Sequence, residues 1–247
     1  MNTDRIFSLR TLWKEAFGDT DVFLDSFFST AFSPDRYHCL LDNNIPVSAL
    51  YWLPCSLESR SIAYVYAIAT KETHRGQGLC HRLMEETHQI LQQQGYEGAI
   101  LVPANPELFS LYGKLGYRVF CTCWEFVCEA ADTSVPLRTL NVQDYACLRT
   151  KMLPKGGVTQ EDCTLRFLQE QLSFYAGDGF LLAATVEDGV LFCKELLGDT
   201  SLAAEIIRTL GCSRGRFRTP GSGRDFAMFL PLTEDCPTPE WFGLALD

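Results

Sequence analysis

"THRGQGLCHRL", residues 73–83, decides how this chain is read. It is either a loop that holds phosphates or a glycine-softened turn entering a helix. A helix start offers unpaired amides and a partial positive charge, so it can hold an anion. Gly76 and Gly78 let the backbone approach phosphate oxygens with no Cβ in the way, and Arg75 adds charge-assisted bonds. No Gly-Lys-Ser/Thr follows, so it is not a Walker loop, and His81 occupies the third glycine position of a dinucleotide fingerprint. Alone, the hexapeptide fits both readings.

The flanking sequence supplies context. Before the loop, "RSIAYVYAIAT" (60–70) alternates as a strand, with Ile62, Tyr64, Tyr66 and Ile68 on one side and Ala63, Val65, Ala67 and Ala69 on the other. After it, Leu79, Leu83, Met84, Ile90 and Leu91 make the apolar stripe of a helix that Gly95 stops. "GAILVPA" (98–104) reads as a buried strand. "NPELFSLYGKLG" (105–116) opens a helix with an Asn cap and Pro at its first position. Upstream, residues 4–10 are expected to be a short strand, and 11–17 and 21–32 two short helices, the second with Phe23, Phe27 and Phe28 on one side. Residues 37–54 form a hairpin turning at Asp42-Asn43-Asn44, and 117–130 one bent strand or two.

Beyond a polar linker, "ADTSVP" (131–136), the order of elements recurs: a strand at 136–140, helices at 142–152 and 160–175, a hairpin around Glu187-Asp188-Gly189, a helix at 200–211 and two strands. Phe23-Leu24 falls on Phe167-Leu168, and the turn at 42–44 falls near that at 187–189. The chain reads as a divergent repeat of one α/β unit, with domains at 1–130 and 131–247. The second copy has "LLGDTSL" in place of the glycine loop, where Asp199 sets a carboxylate in the phosphate position.

Composition narrows the classes. Of the 247 residues, 47% are hydrophobic and 21% charged, as in a globular protein with a real core. No apolar run reaches membrane-spanning length and no signal peptide is visible, so the expected location is cytoplasmic, with no membrane partner. The net charge of −10 argues against nucleic acid. Eleven cysteines, an odd number with no CxxC pair, and four histidines argue against both a disulfide framework and a metal site. His81 and His88 are expected to face solvent. "SRGRFRTPGSGR" (213–224) is a local basic exception; Arg214, Arg216 and Arg218 share a strand face, as a solvated edge strand or as an anion-contacting stripe.

Strand, "HRGQGLC", helix, strand "AILVPA", "NP" and "LYGKLGY", in that order, resemble the GNAT superfamily of acyl-CoA-dependent N-acyltransferases. The family pattern Arg/Gln-x-x-Gly-x-Gly/Ala is met by Arg75-Gly76-Gln77-Gly78-Leu79-Cys80, with Cys80 replacing the last small residue. A thiol there is expected to have a lowered pKa. Two copies with one working loop are similar to the tandem domains of Eis-type acetyltransferases. The resemblance implies an α/β (α+β) fold of tandem GNAT-like domains, the second degenerate, each a mixed, mostly antiparallel sheet flanked by helices.

It further implies acetyl-CoA as co-substrate, without metal, in a V-shaped gap between the strand ending at Thr70 and "AILVPA". Ile68, Ala69 and Thr70 would meet the pantetheine arm, Arg75, Gly76, Gln77, Gly78, Leu79 and Cys80 the pyrophosphate, and Asn105 either the pantetheine or only its own helix. The implied reaction is direct attack of a small-molecule primary amine on the thioester, with Tyr112 as the acid for the leaving thiolate. The alternative is a non-catalytic acyl-CoA-binding or regulatory protein. Glu58, Glu72, Glu125 and the carboxylate of Asp247 are candidate bases, beside a water chain. Phe28, Tyr64 and Tyr66, with Trp52, are candidates for an aromatic acceptor cleft, and self-association stays open.

Overall fold

The computed structural model describes residues 3–246. In chain order the helices are α1 (Thr3–Phe17), α2 (Asp21–Thr30), α3 (Leu79–Gln93), α4 (Pro106–Lys114), α5 (Val142–Met152), α6 (Asp162–Gln171) and α7 (Ala203–Thr209). The strands are β1 (Tyr37–Asp42), β2 (Ile45–Leu57), β3 (Arg60–Thr70), β4 (Gly98–Leu101), β5 (Arg118–Glu129), β6 (Leu137–Leu140), β7 (Thr159–Gln160), β8 (Ser173–Gly177), β9 (Phe180–Glu187), β10 (Val190–Gly198), β11 (Arg214–Pro220) and β12 (Arg224–Pro231). The chain divides into two compact units. The first runs to Arg118 and takes back Met228–Pro237; the second comprises Val119–Ala227 and the tail from Thr238.

The division therefore differs from the contiguous boundary expected at 130/131. The reason is β12, whose second half pairs with β4 from Met228↔Leu101 to Pro231↔Gly98 and so completes the first unit. Gly98 makes room for this strand, since any Cβ there would collide with the Phe229 ring.

In the first unit the strand order is β1-β2-β3-β4-β12, antiparallel except for β3 and β4. One face carries α3, with Leu83, Met84 and Leu91 packed on Ala63, Val65 and Ala99. The other carries α1, whose Leu9 and Leu12 pack on Ala49 and Ala69. Residues 4–10, expected as a strand, are the first turns of α1. Leu9, Leu12, Trp13 and Ala16 repeat at helical spacing, and burying that stripe outweighs the weak alternation upstream. Trp13, only 2% exposed, anchors an aromatic cluster: Phe27 at 4.7 Å, Tyr51 at 5.0 Å and Tyr66 at 5.6 Å between ring centroids.

In the second unit the order is β12-β5-β11-β10-β9-β8-β6; β10 and β11 run parallel, and the other pairs from β5 to β6 run antiparallel. The expected helix at 160–175 stops at Gln171, because Leu172 turns extended and Ser173–Gly177 joins the sheet between β6 and β9. β11 lies between β5 and β10, so the arginine stripe is not on an edge strand. A buried ion pair holds the tail. Arg149 Nε and Nη2 donate to Glu195 (2.7 and 3.0 Å), and Trp241 Nε1 donates to the same carboxylate (2.8 Å). All eleven cysteines are free thiols.

The topology also re-registers the repeat. By strand order the β1–β2 turn at Asn43-Asn44 corresponds to the β8–β9 turn, and the Asp188-Gly189 turn to that between β2 and β3. The turn at 42–44 therefore does not correspond to that at 187–189.

Two stability measurements follow. Gly98→Val should cost about 1–3 kcal/mol in urea denaturation, with partial recovery on adding Phe229→Leu. Arg149→Met should cost about 3–5 kcal/mol by stranding Glu195, and the further change Glu195→Leu should return part of it.

Candidate functional site

β3 and β4 run parallel only from Ile62↔Gly98 to Tyr64↔Ile100. β4 then ends at Leu101, whereas β3 continues to Thr70. Past Tyr64, the edge of β3 that faced β4 has no strand beside it, leaving a wedge with exposed ladder positions for an extended ligand. β3 also carries a bulge: the β2 register jumps between Ala49↔Ala69 and Tyr51↔Tyr66, with Ala67 at φ 49°. The bulge inverts the side-chain alternation expected for 60–70. Ile68 joins the α3 face with Ala63 and Val65, while Ala69 joins the α1 face.

The loop at the wide end is built by glycine. Gly76 (φ 76°) and Gly78 (φ 75°) are both left-handed, and a Cβ at either would meet nothing within 4 Å. The requirement is conformational, and open space lies in front of the backbone. Gly78 caps α3 without a side-chain bond, and no acidic residue lies in the first turn of α3. The amides of Leu79 and Cys80 thus open a fifteen-residue helix with its dipole unopposed. Arg75 Nε donates to the Thr70 carbonyl (3.1 Å), tying the loop to the end of β3. Ser48 Oγ donates to the Ala69 carbonyl (3.0 Å) and bonds Thr70 Oγ1 (2.8 Å), fixing the same strand end.

The second copy lacks these features. A Cβ at Gly198 would strike the Gly179 carbonyl, so that glycine serves packing. Asp199 accepts from Ser201 N (2.9 Å) and Ser201 Oγ (2.7 Å), occupying the turn with the protein's own carboxylate. β11 passes to β12 through a short turn, with no counterpart of α4.

Tyr112 of α4 is 6% exposed and packs in one cluster with Ile68, Leu79 and Cys80. Burial, then the neighbouring Cys80, pushes its phenol well above the ordinary range. Burial also raises Cys80, contrary to the lowered pKa expected at a helix start; here desolvation outweighs the dipole. Asn105 Oδ1 accepts from Glu107 N (3.1 Å) and Leu108 N (3.3 Å), so that oxygen is committed to its helix cap. His88 is half-buried against Tyr117 (Nε2 to Oη 3.0 Å) and burial lowers it to about 4, so it does not face solvent as expected.

The remaining candidates separate. Tyr66 and Phe28 border the Trp13 cluster. Tyr64 is buried at the last β3–β4 pair. Trp52 packs in the core on the α3 face. Glu58 sits in the β2–β3 turn, at the end of β3 remote from Thr70, and Glu125 belongs to the second unit. Glu72 N donates to Glu15 Oε1 (3.1 Å), pinning the turn before the loop. Asp247 lies outside the described residues. Among the described residues no group of three His, Cys, Asp or Glu is placed to hold a metal, and no helix is long and apolar enough to cross a membrane. Sequence reasoning missed the bulge at Ala67, for which the even alternation gives no signal, and the anchoring role of Trp13, although 11–17 were expected to be helical.

Residues 1–120 match the family model of an acetyltransferase (GNAT) domain. No curated protein matches the chain. Among solved structures it is similar to a GCN5-related N-acetyltransferase from Kribbella flavida (16% identity, 94% of this chain and 71% of that one, TM-score 0.70). It is also similar to Eis1 from Mycobacterium abscessus (11%, 94% and 72%, 0.69). A third is the tandem GNAT protein from the clavulanic acid biosynthesis pathway (8%, 95% and 97%, 0.56). At these identities the likeness is one of fold, and the fold is that of tandem GNAT-like domains.

Gly78→Glu tests the loop. Pyrophosphate binding, followed by calorimetry, should weaken at least about tenfold, while the denaturation midpoint moves by no more than the roughly 1–2 kcal/mol of a left-handed non-glycine residue.

Proposed function

We infer, from a chain whose residues 1–120 are a GNAT acetyltransferase domain within a tandem GNAT-like fold, that this acyltransferase moves the acetyl group of acetyl-CoA to a primary amine of a small molecule. The observation that carries the reading is the wedge past Tyr64, with an open glycine loop at its wide end and a buried, protonated phenol packed beside Cys80. The residues fit the substrate. Gly76, Gln77, Gly78, Leu79 and Cys80 offer amides to the pyrophosphate, and the free edge of β3 at Ile68–Thr70 offers a ladder to the pantetheine arm.

The amine nitrogen bonds the thioester carbon, the C–S bond breaks, the thiolate takes the Tyr112 hydroxyl proton, and the proton lost by the acylated nitrogen passes through water to restore the phenol. An alkyl ammonium with pKa near ~10.4 must first lose a proton, which a water chain can accept. A phenol raised by burial is a fitting donor, because it stays protonated throughout the working range. The −10 net charge favours a cationic acceptor, and Phe28 and Tyr66 are the aromatic groups we assign to it. Eleven free thiols support a cytoplasmic location.

Thiol release from acetyl-CoA across a panel of amines tests the reading. Turnover with at least one amine is expected; cofactor binding without turnover for any would favour the non-catalytic alternative. Tyr112→Phe should lower kcat by about 10²–10⁴-fold with little change in acetyl-CoA affinity. The wild-type kcat profile should show no loss from Tyr112 ionisation up to about pH 10, since the folded phenol titrates above its ordinary ~10.

A further inference from the structure

The last residue of β3 makes a bond that the acetyl-transfer reading leaves unused. Lys71 N donates to the Val47 carbonyl (2.8 Å), and Thr70 registers opposite Ser48. In an antiparallel ladder this pattern makes Ser48 and Thr70 a non-hydrogen-bonded pair, so Thr70 turns its own amide and carbonyl away from β2. They face the side on which β4 has already ended, the wedge. The Ser48 hydroxyl, bonded to the Ala69 carbonyl (3.0 Å) and to Thr70 Oγ1 (2.8 Å), fixes the strand end in that orientation. Arg75 Nε then donates to the Thr70 carbonyl (3.1 Å). The first residue of the glycine loop thus holds a rung on the same edge that an extended ligand would use. Among the described residues no carboxylate pairs with Arg75, so this neutral carbonyl is the guanidinium's partner.

We propose that Arg75 is a specificity-determining residue: it masks the Thr70 carbonyl until the pyrophosphate of a donor draws it away, so that the site selects thioesters carrying that group. The proposal rests on the acetyl-CoA reading and adds to it a reason why a bare pantetheine thioester is a poor donor. A guanidinium meets a phosphate through paired, oppositely charged forks, which a neutral carbonyl cannot match, so the exchange runs toward the ligand. The loop leaves room for the movement. Arg75 is exposed, and a Cβ at the neighbouring Gly76 would meet nothing within 4 Å. Once the side chain leaves, the Thr70 carbonyl can accept an N–H from the pantetheine arm, as a ladder rung would. An arm without phosphate must break the Arg75 bond with no anion to receive the guanidinium. Its affinity then falls by the fraction of molecules in which the rung is unmasked.

Calorimetry on the full chain tests this with coenzyme A and with two pieces of it, pantetheine and inorganic pyrophosphate. Wild-type protein should bind coenzyme A. Arg75→Ala should tighten pantetheine by about 3–10-fold, the worth of one unmasked hydrogen bond, and weaken pyrophosphate by at least about tenfold. The opposite signs are the signature. A residue that only contacts phosphate would leave pantetheine unchanged, and one that only braces the loop would weaken both. Because Arg75 is exposed, the circular dichroism and thermal midpoint of the variant should match those of wild type. Pantetheine affinity that is unchanged, weakened or undetected up to about 10 mM in Arg75→Ala overturns the proposal, as does unchanged pyrophosphate affinity. In either case binding of coenzyme A by wild type leaves the acetyl-CoA reading standing. Absence of that binding overturns both.

Discussion

The chemistry of the first unit depends on a refusal to pair. β3 and β4 share three parallel positions, and beyond Tyr64 and Ile100 they part. Had the pairing continued to Thr70, the strand edge would be satisfied and no extended ligand could lie against it. Two local devices keep the strands apart. β4 stops at Leu101 and gives way to α4 under its Asn105 cap, and the bulge at Ala67 twists the far half of β3. Tyr112 packs in the cluster that also holds Ile68 and Cys80.

The second unit repeats the recipe with its working parts removed. Its parallel pair, Val190↔Arg214 to Cys193↔Phe217, occupies the position of the first. There Thr219 Oγ1 donates across to the Leu196 carbonyl (2.8 Å), so a side chain spans the strands where a ligand would otherwise enter. With no counterpart of α4 and with Asp199 bonded to Ser201 in the turn, neither the Tyr112 helix nor the open glycine loop has an equivalent here. What the copy has instead is a trio of arginines, Arg216, Arg218 and Arg224, converged on Glu125.

Much of this was legible from residue order, and the exceptions have physical causes. Gly76 and Gly78 announce left-handed backbone because few other residues tolerate it, and both are left-handed. Asn105-Pro106 announces a helix start through its cap, and the cap is made. Ala67 gives no such warning: an alanine at φ 49° is held there by the surrounding ladder, so only tertiary structure reveals the inverted faces of β3. Residues 4–10 misled because a short alternating stretch competes poorly with a buried helical stripe that extends past it. The arginines announced an anion site or a wet edge; strand order, a non-local property, eliminates the edge. A contiguous boundary was the natural inference for a repeat, and nothing near residue 230 signals that its strand belongs to the first unit.

That returning strand has a bearing on biosynthesis. A ribosome delivers the glycine loop and Tyr112 long before Met228–Pro231, the segment that lies against β4. During this interval β4 is an uncovered edge of apolar residues, open to capture by other nascent chains. The portion of the polypeptide translated earlier is thus completed only when a partner strand from much later in the chain arrives.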